Sequence, residues 1–167
     1  MGTETRPKTG VCVIGSGRAG MIHARNFARR VANADLVALA DPHRETLQAA
    51  QKELSVEKGY ADYREALADS RVDAVVVVTP TALHREVVLA ASKAGKHVLC
   101  EKPMAMDVRE CDDMIAACDS AGVKLQIGFM RRYDESFQEA RRRIDAGEIG
   151  DPAGGGVDVS VFLCRGG

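Results

Sequence analysis

Val11-Cys12-Val13-Ile14-Gly15-Ser16-Gly17-Arg18-Ala19-Gly20-Met21-Ile22-His23-Ala24 runs from an uninterrupted apolar segment into glycines at G-x-G-x-x-G spacing, then into helix-compatible sequence. That is the pattern of a buried strand feeding a helix whose N-terminus receives a phosphate. Each glycine answers a separate steric demand: Gly15 a tight turn, Gly17 the approach of backbone to a pyrophosphate, Gly20 close packing of helix on strand. Arg18 and Ala19 open the helix, where unpaired N–H groups and the positive end of the macrodipole favour an anion. Glycine-rich turns are common, so the meaning of this one rests on what the remaining chain supplies.

Outward from that turn, strand and helix alternate six times. Residues 19–32 read as a helix with Ile22, Phe27 and Val31 on its inner face. Leu36 to Asp41 is a second continuous apolar strand, ended by Asp41-Pro42. A helix over 43–54 leads through Gly59-Tyr60 to a short strand and a helix over 63–68. Val72 to Val78 is the most strand-like segment, β-branched and uncharged after Asp73. Helices over 82–94 and 107–121, each stopped by a glycine (Gly95, Gly122), flank a fifth strand at His97 to Cys100. Lys124 to Phe129 is the sixth strand and 134–146 the last helix, with Asp134 and Glu135 at its start and Arg141 to Arg143 near its end as its dipole favours. The arginine run reads as a solvated face. Continuous apolar strands alternating with helices predict an α/β fold, a Rossmann doubly wound parallel sheet. Residues 1–9 read as a disordered leader, 10–150 as the dinucleotide-binding domain, and 151–167 as a linker and one further strand, Val157 to Leu163. That strand has an apolar face with no chain left to cover it. The expectation is a fragment, or a cut-down scaffold, lacking its next domain and self-associating through this exposed strand.

Composition narrows the partners. With 167 residues, 46% apolar and 28% charged, the chain has the make-up of an ordinary soluble domain. Its 23 basic and 24 acidic residues give a net charge of −1, which supplies no electrostatic reason for nucleic acid or an anionic membrane as partner. No apolar run approaches the roughly 20 residues of a membrane span, and Met1 to Lys8 is polar rather than signal-like, so the expected location is cytoplasmic. Cys12, Cys100, Cys111, Cys118 and Cys164 form no C-x-x-C pair and read as reduced thiols, with no metal site indicated.

The glycine turn predicts an acidic residue at the end of the second strand, about 20 residues on, to accept from ribose hydroxyls. Asp41 is there. A carboxylate at that point repels a 2′-phosphate and favours NAD over NADP, although Arg44 offers a phosphate partner; the other reading makes Asp41 the N-cap of the following helix. Ligands of open parallel sheets bind beyond the carboxyl ends of the strands. Thr79-Pro80-Thr81, Glu101-Lys102-Pro103 and Met130-Arg131-Arg132-Tyr133 close the fourth, fifth and sixth strands and converge on one crevice. Lys102 there is either a proton donor or positive charge beside a substrate oxygen, or a surface lysine.

Gly15 to Gly20, Asp41, Thr79-Pro80-Thr81 with His84, Glu101-Lys102-Pro103 and Gly128 to Tyr133, in this order, resemble the glucose-fructose oxidoreductase / inositol dehydrogenase / rhizopine-catabolism (Gfo/Idh/MocA) family over residues 10 to 165. Glu101-Lys102-Pro103 is the most specific mark, and Gly128 to Tyr133 is similar to inositol 2-dehydrogenases. The resemblance implies that Glu101 binds the nicotinamide ribose and that Lys102 contacts ribose and substrate hydroxyl and assists proton transfer. It further implies that Thr79, Pro80 and His84 line the cofactor groove and that Arg131 lies close to nicotinamide and substrate. Family members carry a second α/β domain that supplies an Asp and a His, for which no residue of this chain stands in; His23 and His97 read as structural. The expected function is that of the NAD-binding domain of an oxidoreductase acting on CH–OH groups of an inositol or sugar, inactive alone. The alternatives are a non-catalytic NAD(P)-binding or sensory module and an S-adenosylmethionine-binding methyltransferase-like fold, in which Glu101-Lys102-Pro103 has no task.

Overall fold

The computed structural model describes residues 8–148 and 150, which fall into two units, one ending at Ile127 and one starting at Gly128. The first alternates strand and helix throughout: β1 Thr9–Ile14, α1 Arg18–Arg29, β2 Ala34–Ala40, α2 Arg44–Leu54, β3 Lys58–Tyr60, α3 Tyr63–Ala68, β4 Ala74–Val77, α4 His84–Lys93, β5 His97–Cys100, α5 Val108–Ala121 and β6 Leu125–Ile127. The strands form one sheet in the order β3-β2-β1-β4-β5-β6, every neighbouring pair parallel. This is the doubly wound Rossmann order, in which the chain returns to the middle of the sheet after β3 and grows outward from β1 in the other direction.

Alternation along each strand divides the core between the two faces. Cys12, Ile14, Val75, Val77 and Cys100 pack with Ala66 and Leu67 of α3, Val87, Val88 and Ala91 of α4, and Met114 and Cys118 of α5. Val11, Val13, Leu39 and Val76 face the other way, against Ala24 of α1 and Leu47, Ala50 and Leu54 of α2. Both faces of the central strands are therefore dry, which is why these strands read as unbroken apolar runs. Cys12, Cys100, Cys111 and Cys118 are free thiols, and burial pushes Cys12 and Cys100 up to about 12, keeping them protonated and unreactive. No described helix is long and apolar enough to cross a membrane.

The structure corrects the sequence reading in several places. Ile22 is 53% exposed, and the inward face of α1 is instead Gly20 and Ala24, with Phe27 and Val31 partly buried beside them. Spacings of four and three keep Gly20, Ala24 and Phe27 on one stripe of α1, with Val31 just past the helix end, whereas Ile22 lies two positions from Gly20, on the far side of the helix. Gly59 and Tyr60 belong to β3 itself rather than preceding it. Gly59 packs so tightly on Gln51 that an added Cβ would stand 2.5 Å from its side chain. Strand β1 starts at Thr9, inside the stretch read as a leader; residues 1–7 and the strand expected at Val157 to Leu163, with its self-association, lie outside the described residues.

The second unit holds a short 3-10 turn, Met130–Tyr133, and α6, Glu135–Asp145. Asp134 caps α6 by accepting from Ser136 N and Phe137 N. Its three arginines pair within the helix, Arg141 with Asp145 and both Arg142 and Arg143 with Glu139, the solvated arrangement expected of them.

Candidate cofactor site

Helix α1 leaves β1 through a turn wedged between two neighbouring strand ends. Gly15 N donates to Ala40 O of β2 (2.8 Å) and Val78 N to Ile14 O (2.9 Å). Gly15 has φ +102°, and a side chain there would stand 2.6 Å from Val78 O. A Cβ on Gly20 would lie 1.8 Å from Gly15 O, so the helix meets the turn backbone to backbone. Gly17 differs from both. It is the N-cap residue of α1, has φ −69°, and, its chain neighbours aside, none of the described residues comes within 4 Å of where its Cβ would be. No fold contact requires a glycine at 17. The space in front of it is what a close-approaching anion needs, and α1 carries no acidic residue in its first turn to oppose one. Arg18 and Ala19 are exposed on that turn.

Asp41 stands at the end of β2 and is buried, at 7% exposure. Its Oδ2 accepts from Ser16 N of the glycine turn at 2.6 Å and its Oδ1 from His43 N at 2.8 Å. The carboxylate thus ties the turn to the entry of α2. The N-cap position of α2 belongs to His43, so Asp41 supports the helix entrance from two residues upstream rather than capping it. A carboxylate offers about four lone-pair sites, so acceptor capacity remains for a ligand hydroxyl. Arg44, first residue of α2, is exposed to solvent beside it.

A cavity of about 650 Å³ collects these groups: Gly15 and Gly17 on one side, Asp41 and Pro42 at one end, Thr79 and Pro80 on the β4 side. Tyr63, Arg64 and Glu86 close the wall between α3 and α4. Tyr63 OH donates to Glu86 Oε1 at 2.7 Å and Arg64 to the same oxygen at 2.6 Å, with the guanidinium over the Tyr63 ring at 4.6 Å. Burial and the Glu86 carboxylate push the Tyr63 phenol up to about 12, so it remains a neutral donor. Nothing in the sequence singled out this wall, since Tyr63 and Arg64 of α3 meet Glu86 of α4 across more than 20 residues of chain. Two buried hydroxyls, Thr79 Oγ1 on the cavity lining and Ser16 Oγ in the adjoining glycine turn, have no hydrogen-bond partner among the described residues. Buried polar groups are rarely left so in a finished site; both fit a ligand with hydrogen-bonding oxygens.

The end of β5 lies beside that of β4, Glu101 N donating to Val77 O at 3.0 Å. Glu101 is partly buried: its Oε1 meets His23 Nε2 of α1 at 2.8 Å and its Oε2 accepts from Lys102 N at 3.0 Å. Lys102 is exposed, and Thr81 begins a short 3-10 turn, Thr81–Leu83, ahead of α4. His84 is 1% exposed and its ring faces backbone: Nε2 meets Thr79 O at 2.9 Å, and Nδ1 meets Pro103 O at 3.0 Å and Met104 O at 3.3 Å. It therefore braces the ends of β4 and β5 from beneath instead of presenting its ring to a groove. His97 Nδ1 accepts from Lys124 N, a tie between β5 and β6. Arg131 belongs to the second unit, where its guanidinium lies over the Phe137 ring at 4.9 Å. Of the residues singled out from sequence, Gly15, Gly17, Asp41, Thr79 and Pro80 line the cavity, and Gly20 and His84 shape it from behind. The contact that sequence reading missed is His23 with Glu101, 78 residues apart; the one local signal was helical spacing, His23 being three residues beyond the inward-facing Gly20.

Comparison with known proteins bears on the domain that carries these groups. The family model described as "Oxidoreductase family, NAD-binding Rossmann fold" (GFO_IDH_MocA) matches residues 9–129. The chain is 41% identical over 140 residues to the scyllo-inositol 2-dehydrogenase (NAD(+)) of Bacillus subtilis, covering 84% of this chain and 41% of that protein. Identity to the myo-inositol 2-dehydrogenase of Thermotoga maritima is also 41%, covering 84% of this chain and 42% of the relative. Among solved structures, the scyllo-inositol dehydrogenase of Lactobacillus casei with bound NAD(H) and scyllo-inositol superposes with a TM-score of 0.82 at 35% identity, over 86% of this chain and 43% of that one. The chain thus spans about two fifths of the length of these relatives.

Proposed function

Because the chain belongs to the Gfo/Idh/MocA oxidoreductase family and carries its NAD-binding Rossmann domain, we propose that it binds NAD in preference to NADP, as the cofactor half of an oxidoreductase acting on a CH–OH group of an inositol or related sugar. One observation carries the reading: the open approach to Gly17 and the carboxylate of Asp41 share a single cavity of about 650 Å³. A dinucleotide needs both, a backbone edge for its pyrophosphate and an acceptor for its adenosine ribose. The orphaned hydroxyls of Ser16 and Thr79 fit the same ligand.

In this reading the N-terminus of α1 and Ser16 hold the pyrophosphate, Asp41 accepts from the adenosine ribose, and Glu101 takes the nicotinamide ribose hydroxyls. The bound nicotinamide supplies the hydride chemistry; the chain supplies orientation and charge. Lys102, exposed at the end of β5, places an ammonium beside the substrate hydroxyl and assists its proton transfer. Asp41 disfavours a 2′-phosphate by repulsion inside a partly dry cavity, and the exposed Arg44 is too well solvated to reverse that. The 167-residue chain alone is expected to bind cofactor without turning over inositol, since it spans only about two fifths of the dehydrogenases it resembles.

The test is a fluorescence titration with NADH beside NADPH and S-adenosylmethionine. NADH should bind at least about tenfold more tightly than NADPH. Equal affinities would remove the role given to Asp41, and binding of S-adenosylmethionine without NADH would overturn the reading. Lys102→Ala should leave NADH affinity nearly intact, and a large loss of affinity would move Lys102 from chemistry to binding.

A further inference from the structure

We propose that His23 is a positioning residue for the Glu101 carboxylate, joining the phosphate-binding helix to the chemical end of the groove. The inference rests on the reading of Glu101 as the nicotinamide-ribose acceptor, and its test separates the two. His23 sits one turn into α1 and Glu101 directly after β5, so no local sequence constraint brings them together. Yet Nε2 and Oε1 are 2.8 Å apart, with the two side chains only 24% and 22% exposed.

A carboxylate accepts only, so the proton between them resides on Nε2, and the His23 ring is held as its Nε2–H form. The other carboxylate oxygen is occupied by Lys102 N at 3.0 Å. Glu101 is therefore gripped at both oxygens, once by its own loop and once by α1. Neither bond consumes all the lone pairs of its oxygen, so both oxygens stay able to accept from ribose hydroxyls while the carboxylate plane no longer rotates. A pre-oriented acceptor spares the ligand the ordering of a long side chain. It also registers the two halves of the ligand: α1 meets the pyrophosphate at its first turn and, through His23, sets the position of the group that meets the second ribose.

The experiment compares NADH with ADP, which shares the adenosine ribose and pyrophosphate but lacks the nicotinamide ribose. In the 167-residue chain, His23→Leu should weaken NADH binding about five- to tenfold and leave ADP affinity unchanged. His23→Gln, whose amide reaches about where Nε2 stands, should restore most of the loss. In a Glu101→Ala background, His23→Leu should have no further effect on NADH. Long-range proton–nitrogen NMR of the imidazole in mildly alkaline buffer should show the Nε2–H tautomer without any ligand, and Glu101→Gln should disturb it. An Nδ1–H tautomer overturns the proposal, as does equal loss of NADH and ADP binding or additivity with Glu101→Ala. If wild-type chain shows the Nε2–H tautomer but NADH binds no better than ADP and is insensitive to Glu101→Ala, the assignment of Glu101 fails instead, and the role of His23 falls with it.

Discussion

Gly17 and Gly20, three residues apart on one turn, should respond to the same substitution in opposite ways. At Gly20 a methyl group would stand 1.8 Å from Gly15 O and 2.9 Å from Gly15 C, about 1.5 Å short of ordinary contact with atoms of a backbone that has nowhere to go. Overpacking of this kind costs about 1–3 kcal/mol, and the rigidity of the neighbour argues for the upper end. For a chain of 167 residues, about 3 kcal/mol lowers Tm by about 6–12 °C. At Gly17 a methyl group meets, beyond its chain neighbours, none of the described residues within 4 Å, and the backbone, at φ −69°, is one alanine adopts freely. Alanine is a poorer N-cap than glycine but loses less chain entropy on folding, so the two terms offset to within about 1 kcal/mol. On the proposed function, the methyl would instead fill the space a cofactor phosphate takes and separate it from the helix N–H groups. Each such charge-assisted hydrogen bond contributes about 1.5–3 kcal/mol, so the loss of even one weakens NADH binding about tenfold or more. Thermal melts and NADH titrations on Gly17→Ala and Gly20→Ala decide the matter. Wild-type NADH affinity in Gly17→Ala, or a wild-type Tm in Gly20→Ala, would refute the assignment of one glycine to ligand and the other to packing.

Asp41→Asn turns one of two acceptors into an amide NH2 donor facing a backbone donor, Ser16 N or His43 N; a loss of about 1–3 kcal/mol in denaturant unfolding is expected, with a narrowed preference for NADH over NADPH. His84→Leu removes the buried imidazole that meets Thr79 O and Pro103 O and should cost about 2–4 kcal/mol by the same assay, with lysine-directed labelling of Lys102 altered as its loop loosens. Hydrogen bonds from the Arg71 side chain and backbone, and from Tyr60, hold the Asp69 carboxyl well below its ordinary value of 3.8. Its contribution to stability is whole above that ordinary value and is lost as pH falls below it, because the unfolded chain takes up the proton first. Asp69→Asn should accordingly lower the neutral plateau of the pH–stability curve and flatten its acid limb, so that variant and wild type converge at low pH.

The sheet, its helices and the pyrophosphate end of the groove were legible because they are written locally. Val72 to Val78 is apolar on both faces because the strand is covered on both, and Gly15 and Gly20 are glycine because backbone stands where a Cβ would go. Asp41 was found by its distance from the glycines, but its grip on Ser16 N was not, since an acid at a strand end reads the same with or without that bond. Ile22 misled because hydrophobicity alone marked it, while the true contact face of α1 is made of small residues whose smallness permits the close approach. His23 and His84 act through partners 78 and about 20 residues away, and a single histidine carries no local sign of such a partner.

The clamp at Asp41 sets a design rule for anyone re-engineering cofactor preference. An exchange that merely deletes the charge to admit a phosphorylated ribose also unhooks the glycine turn from β2 and slackens the entrance of α2, since the same two oxygens serve all three. A workable switch must keep an oxygen at position 41 to receive Ser16 N, with serine or threonine the smallest candidates, and obtain its new positive charge from Arg44 next door. On the proposed role of Asp41, selectivity and scaffold are coupled at this side chain, so libraries that vary 41 without 43 and 44 should carry a stability loss of about 1–3 kcal/mol along with any new binding.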